Sequence, residues 1–158
     1  MRLSNRSKTP LYNFINTSLL MLILIGLIGF LLGKNIFGTL GGLSYLLVVI
    51  PLFVFALYYL AGKHIFEYDS DGLVLHFRNR NIVPFLSKEV NDEFPKYKML
   101  SYEIVNFFLI RRLYIKISSK NSGSAVLKYE ISYLTNKEVN DLKLSLNKVV
   151  KANKESIH

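Results

Sequence analysis

Residues 11–62 read LYNFINTSLLMLILIGLIGFLLGKNIFGTLGGLSYLLVVIPLFVFALYYLAG, and this stretch decides the fold. Two apolar runs, Leu11 to Leu32 and Leu43 to Gly62, contain no Asp, Glu, Lys, Arg or His. Each has roughly the ~20 residues that an α-helix needs to cross a bilayer core. Residues 33–42 between them carry one charge, Lys34. The stretch therefore reads as a membrane α-helical hairpin of two transmembrane helices, spanning 11–32 and 43–62, with an external loop at 33–42. Residues 1–10 are left as an N-terminal tail, and residues 63–154 as a polar domain.

Charge sets the expected orientation. The net charge is +9 over 158 residues, and residues 1–62 contribute Arg2, Arg6, Lys8 and Lys34 with no acid. Arg2, Arg6 and Lys8 precede the first run, and Lys63 follows the second, with Arg78 and Arg80 close behind. Lys and Arg concentrate on the cytoplasmic side of spanning helices. Both termini, and the domain at 63–154, are thus expected in the cytoplasm, with the protein in the inner (cell) membrane. The competing reading is a cleaved signal peptide, but the first run is longer than a normal apolar h-region and no A-x-A-like site follows it. The absence of Cys excludes disulfides and thiolate metal sites.

An ionisable group inside a bilayer usually marks an ion or substrate path, and neither run has one. The hairpin is expected to anchor and pack. Gly26, Gly29 and Gly33 are its candidate packing positions; Gly29-x-x-x-Gly33 has the spacing that lets helix backbones approach closely. Pro51 removes a backbone donor inside the second run, opposite the Leu47 carbonyl.

Beyond Lys63 the apolar period changes. Phe66-Glu67-Tyr68 leads into Asp69-Ser70-Asp71-Gly72, a turn signal, and Leu73, Leu75 and Phe77 alternate with Val74, His76 and Arg78. Ile82 to Leu86 reads as a short edge strand and Ser87 to Pro95 as a charged loop. Tyr97 to Ser101, Ile104 to Ile110, Leu113 to Ser118 and Ala125 to Ile131 are strand-like. Thr135-Asn136-Lys137-Glu138 fits a capping box, and Val139, Leu142, Leu146, Val149 and Val150 form one helical stripe. The expected domain is α+β: six or seven antiparallel strands closed by a C-terminal helix.

This order beside spanning segments resembles the bacterial pleckstrin-homology-like (PH-like) domains that flank membrane helices. The matching pieces are Phe66 to Leu73, Tyr102-Glu103-Ile104, and Leu127 to Leu146. The resemblance covers residues 63–153. It implies a strongly bent sheet sandwich plugged by the last helix, and a binding or scaffolding role. The stretch from Phe85 to Pro95 departs from the family as a longer, charged insertion. Phosphoinositide binding is not implied, because the first hairpin loop here is acidic.

No chemistry-bearing constellation emerges, so the chain is not expected to be an enzyme, and no cofactor is expected. Asp69-x-Asp71-Gly72 lacks the later ligands of a calcium loop. His64, His76 and His158 lack metal-ligand spacing, so no metal is expected. Glu89, Asp92 and Glu93 read as solvated loop carboxylates. Arg111-Arg112 is expected at a tight turn. With Arg78, Arg80, Lys116 and Lys128 it forms a candidate basic face, either an ordinary solvated surface or one that meets anionic lipid headgroups at about 1 kcal/mol per basic residue.

The expected function is a membrane-anchored binding or scaffold module at the cytoplasmic face. Its expected partners are the lipid bilayer, a protein partner or second copy, and anionic headgroups, without nucleic acid. The alternative is an accessory subunit of a larger membrane complex, held through the hairpin.

Overall fold

The computed structural model describes residues 1–35, 45–83, 87–119 and 123–155. The chain divides into two compact units. One is Pro10–Leu60; the other is assembled from Met1–Thr9 together with Ala61–His158.

The helical unit holds α1 (Thr9–Asn35) and α2 (Leu46–Leu60). A 3₁₀ turn at Arg6–Lys8 leads straight into α1. Thr9 Oγ1 donates to the Arg6 carbonyl at 2.6 Å, and Pro10 sits in the first turn, where its missing N–H costs nothing. At 27 residues α1 is about 40 Å long. It starts earlier and ends later than the predicted span, so residues 33–35 are helix, not loop; a terminal Gly33 costs the helix only about 1 kcal/mol. The rest of the predicted loop and the start of the second run, residues 36–44, lie outside the described residues. Within them α2 has 15 residues, fewer than the ~20 of a full crossing. Among the described residues one helix, the N-terminal one, is long and apolar enough to cross a membrane.

Little apolar surface is hidden in this unit. Only 11% of the apolar window of α1 is buried, and Ile25, Ile28, Phe14 and Phe53 are each more than half exposed. The two helices nonetheless touch at one tight place. Pro51 has no N–H to offer the Leu47 carbonyl one turn earlier. That carbonyl faces Gly26 so closely that a Cβ there would lie 2.1 Å from the Leu47 oxygen. Gly26 is thus required as glycine, whereas a Cβ at Gly29 would meet only Leu47 Cδ1, at 3.4 Å. Two tyrosines tie the opposite ends of the helices: Tyr58 donates to the Tyr12 carbonyl at 3.2 Å and Tyr59 to Asn16 Oδ1 at 2.6 Å.

The second unit contains seven strands and one helix. Strands β1 (Arg2–Ser4), β2 (Ile65–Asp69), β3 (Val74–Arg80) and β4 (Val90–Pro95) form one antiparallel sheet in that order. Strands β5 (Met99–Phe107), β6 (Ile110–Ser119) and β7 (Gly123–Glu130) form a second antiparallel sheet. Inward-facing residues of both sheets build one core with the apolar stripe of α3 (Asn136–Glu155): Phe66, Tyr68, Phe77, Leu113, Ile115 and Tyr129 meet Leu142 and Leu146. Phe77 stacks on Phe94 at 5.7 Å and on Tyr129 at 4.8 Å. The capping box forms as predicted. Thr135 N–H and Oγ1 both donate to Glu138 Oε2, at 2.6 and 2.9 Å, and Glu138 N–H donates back to Thr135 Oγ1 at 3.2 Å.

Four local readings change. Residues 1–10, read as a tail, contribute β1, with Leu3 opposite Tyr68. The stretch read as a charged loop contains β4. Phe94 is buried in the core there, Glu93 lies opposite His76, and Arg78, opposite Asn91, pairs with Glu89 just ahead of the strand. Ile82 and Val83 are not in a strand, and residues 84–86 of that predicted edge lie outside the described residues. Finally, Arg111-Arg112 does not form the β5–β6 turn. Both belong to β6, and the two-residue turn is Phe108-Leu109, since Phe107 pairs with Ile110.

Candidate functional site

The residues that organise the second unit gather where the chain passes to and from the helices. Asn5, fully buried, donates from Nδ2 to the His64 carbonyl at 2.8 Å and accepts from Phe66 N–H at 2.8 Å. It stands in for a peptide group and locks the segment ahead of α1 onto β2. Asn79 does the same between the sheets. Its Nδ2 donates to the Ile65 and Glu130 carbonyls at 3.1 and 3.0 Å, and its Oδ1 accepts from Glu130 N–H at 2.9 Å. Glu130 then uses its own carboxylate on the chain leaving α2, accepting from Lys63 N–H at 2.8 Å. Gly62 makes this approach possible. Its φ is +109°, and a Cβ there would lie 3.0 Å from Glu130 Cβ.

His64 follows directly. It is fully buried, its Nδ1 lies 3.1 Å from Asn81 Oδ1, and its ring rests on Tyr133 at 4.6 Å. Burial drives its pKa down to about 4, against the opposing hydrogen bond from Asn81. A histidine expected at the surface or in a structural role is thus held neutral inside the domain. Lys63 is also pushed down by burial, against the pull of Glu130 and Glu89, with Lys128 adding least to the lowering.

The six candidate basic residues do not share one face. Arg78 and Arg80 lie on β3; Arg111, Arg112 and Lys116 lie on β6, and Lys128 on β7. Arg78 is paired with Glu89, whose carboxyl that bond holds below the usual range. This pair sits on the outer face of the four-stranded sheet, beside an open groove of about 590 Å³ lined by Arg2, Arg6, Glu67, Asp69, His76 and Arg78. Charges in the groove are largely spent on each other. Arg2 Nε donates to Asp69 at 3.1 Å, and His76 lies 3.4 Å from Glu93 on β4. Asp69 also accepts from Asp71 N–H at 2.9 Å, which with Arg2 holds its carboxyl low, so the Asp69–Gly72 stretch is a hydrogen-bonded turn.

Arg112, Lys116 and Lys128 do share the outer face of the three-stranded sheet. Arg112 lies opposite Glu130, Lys116 opposite Val126, and Lys128 opposite Tyr114. Arg111 points the other way. Its Nε donates to Asn106 and its Nη2 to Asn136, both at 3.0 Å. The Nε atoms of Arg80 and Arg112 are buried and find no hydrogen-bond partner among the described residues. Both residues sit next to the Asn79–Glu130 junction, since Arg80 pairs with Ile65 and Arg112 with Glu130.

Sequence reasoning passed over the β5–β6 turn. Phe107, Phe108 and Leu109 are 75%, 94% and 52% exposed. Two-residue hairpin turns favour Asn-Gly or a leading glycine, so Phe-Leu offered no turn signal, and the high β-propensity of the segment made it read as strand interior.

No group of three or more His, Cys, Asp or Glu residues among the described residues could hold a metal ion. No family model matches the chain. No curated protein and no solved structure matches it.

Proposed function

We propose that the chain is a membrane-anchored module whose PH-like domain binds a partner or the membrane surface at the cytoplasmic face. The observation that carries this reading is the exposure of most apolar side chains of α1, together with most of those of α2. An apolar surface of that extent is untenable in water and matches hydrocarbon. The assembly of one domain from both flanks supports two crossings: β1 precedes α1 and β2 follows α2, yet they pair with each other. A chain that leaves and re-enters one folded domain crosses the bilayer an even number of times. The shorter α2 is accommodated by local thinning at a modest cost. The buried Asn5 and paired β1 favour a retained α1 over a cleaved signal, because loss of the segment ahead of it would strip an edge strand from the sheet.

Seven antiparallel strands in sheets of four and three, followed by a closing helix, are compatible with the PH-like reading. The binding or scaffold role rests on that reading. The test is purification of the intact protein from membranes in mild detergent. A co-purifying protein or a preference for anionic lipid is expected; a clean monomer with neither would sink the reading.

One observation favours the alternative, an accessory subunit held through the hairpin. Gly26 is used inside the hairpin, but Gly29 is less crowded there, with only the flexible tip of Leu47 near it, so a further helix could approach at that level. Replacing Gly29 and Gly33 with Leu would abolish assembly in that case and spare it in the first.

A further inference from the structure

We propose that the β5–β6 hairpin tip, Phe107-Phe108-Leu109, inserts into the interface of the same bilayer that holds the helices, with Arg111 and Arg112 at its base meeting anionic headgroups. The proposal rests on the membrane reading above and adds a second, independent contact to it.

The first observation is the tip itself. Three successive large apolar side chains are exposed, Phe108 almost completely. Val105, on the same outward face as Phe107, extends the patch and is also exposed. Phe108 is the one non-glycine residue with positive φ, at +51°, among the described residues. A bulky residue in the left-handed region is strained, and this one gains no burial from it. Nothing in the packing of the domain calls for aromatic side chains here. A glycine or asparagine would make the turn with less strain.

The second observation is position. Arg112 pairs with Glu130, and Glu130 holds Lys63 N–H, the first residues after α2. Arg111 bonds Asn136 in the first turn of α3, and Lys8, just ahead of α1, bonds Glu138 one turn position away. Both chain connections to the helices therefore lie at the tip's end of the domain, and the turn projects about 10 Å beyond the Arg112–Glu130 pair. No spacer separates Gly62 from β2, and Lys63 N–H is bonded to Glu130. The opposite end carries the Asp69–Val74 turn.

The third observation is charge. Apolar side chains followed at once by two arginines match a headgroup boundary, where rings enter the interface and guanidinium groups stay at phosphate level.

The chain has no Trp, so a single indole reports its own surroundings. The full-length Phe108→Trp protein is reconstituted in vesicles of phosphatidylcholine and phosphatidylglycerol with brominated acyl chains. Leu73→Trp, 85% exposed in the far turn, serves as the reference. Blue-shifted emission is expected for Phe108→Trp, with several-fold stronger quenching by bromine than for Leu73→Trp and weaker quenching by aqueous iodide. Arg111→Gln with Arg112→Gln is expected to reduce the bromine quenching, as is omission of phosphatidylglycerol. Leu109→Trp repeats the measurement if Phe108→Trp does not fold. Flotation of the same vesicles reads anchoring separately. Protein that floats while its indole remains as wet as that of Leu73→Trp overturns the tip proposal alone; protein that does not float overturns the membrane reading and the proposal with it.

Discussion

Lys8 Nζ lies 3.0 Å from both carboxylate oxygens of Glu138, across 130 residues of sequence. The pair joins the segment ahead of the first apolar helix to the first turn of the last helix. Both side chains are about three-quarters buried or a little less. Glu138 serves two masters, since its Oε2 also caps α3. Burial raises its pKa, but the Thr135 N–H, Lys8 and the Thr135 hydroxyl outweigh this and leave the carboxyl below its usual range.

Lys8→Met should therefore lower stability by about 1 kcal/mol, and Glu138→Gln by more, because only the second also weakens the cap. The coupling in a double-mutant cycle should be about 0.5–1 kcal/mol and shrink with salt. Since the folded pKa of Glu138 is depressed, its contribution is present above the unfolded carboxylate pKa and is lost as pH falls through the folded one. Thermal unfolding of the purified protein in detergent, with and without each substitution, measures all three effects.

Asn79→Ala should be far more damaging. It removes three hydrogen bonds and leaves the Ile65 carbonyl and both Glu130 backbone groups without the side chain that bridges the sheets. Buried unpaired groups cost about 1–3 kcal/mol each, so a loss of at least about 3 kcal/mol is expected. Amide hydrogen exchange at β3 and β7 should accelerate together. Exchange confined to one sheet would contradict the bridging role.

His64 predicts a pH dependence of the same sign as Glu138 but beginning at a higher pH. Its folded pKa is lowered from 6.5 to about 4, so the unfolded chain binds the extra proton first. Stability should fall as pH drops from about 6.5 towards 4, by up to about 3 kcal/mol, and level off below that for this group. His64→Gln should flatten that part of the profile. An unchanged slope between wild type and variant would show that the histidine is accessible to protons in the folded state.

Gly26→Ala tests the close approach inside the hairpin. The new methyl would overlap the Leu47 carbonyl oxygen, and overpacking of this kind costs about 1–3 kcal/mol. Gly29→Ala, with Leu47 Cδ1 at 3.4 Å as its nearest neighbour, should be close to neutral. Thermal stability in micelles should separate the two. Pro51→Ala would give the Leu47 carbonyl an N–H within its own helix, and it should leave the cost of Gly26→Ala in place, since that cost is steric.

The sequence by itself determined the parts governed by local period and composition. Two apolar runs without ionisable groups give two apolar helices, because such runs can hide from water only as helix or core. The 3.6-residue stripe and the capping box of Thr135 and Glu138 placed α3 to within a residue. Alternation placed β2, β3, β6 and β7. What only the tertiary structure decided were features whose partners are far away in the chain. Three residues, Arg2–Ser4, carry no pattern long enough to read as a strand; they become β1 because β2 offers an edge and Asn5 finds the His64 carbonyl and the Phe66 amide. Val90–Pro95 looks like solvated loop until β3 stands across from it, with His76 opposite Glu93 and Phe77 stacked on Phe94. The strained Phe108 turn breaks local preference outright, and so it could not be read from preference. Short-range terms write the helices; long-range pairing chooses the edges, the turn and the exposed tip.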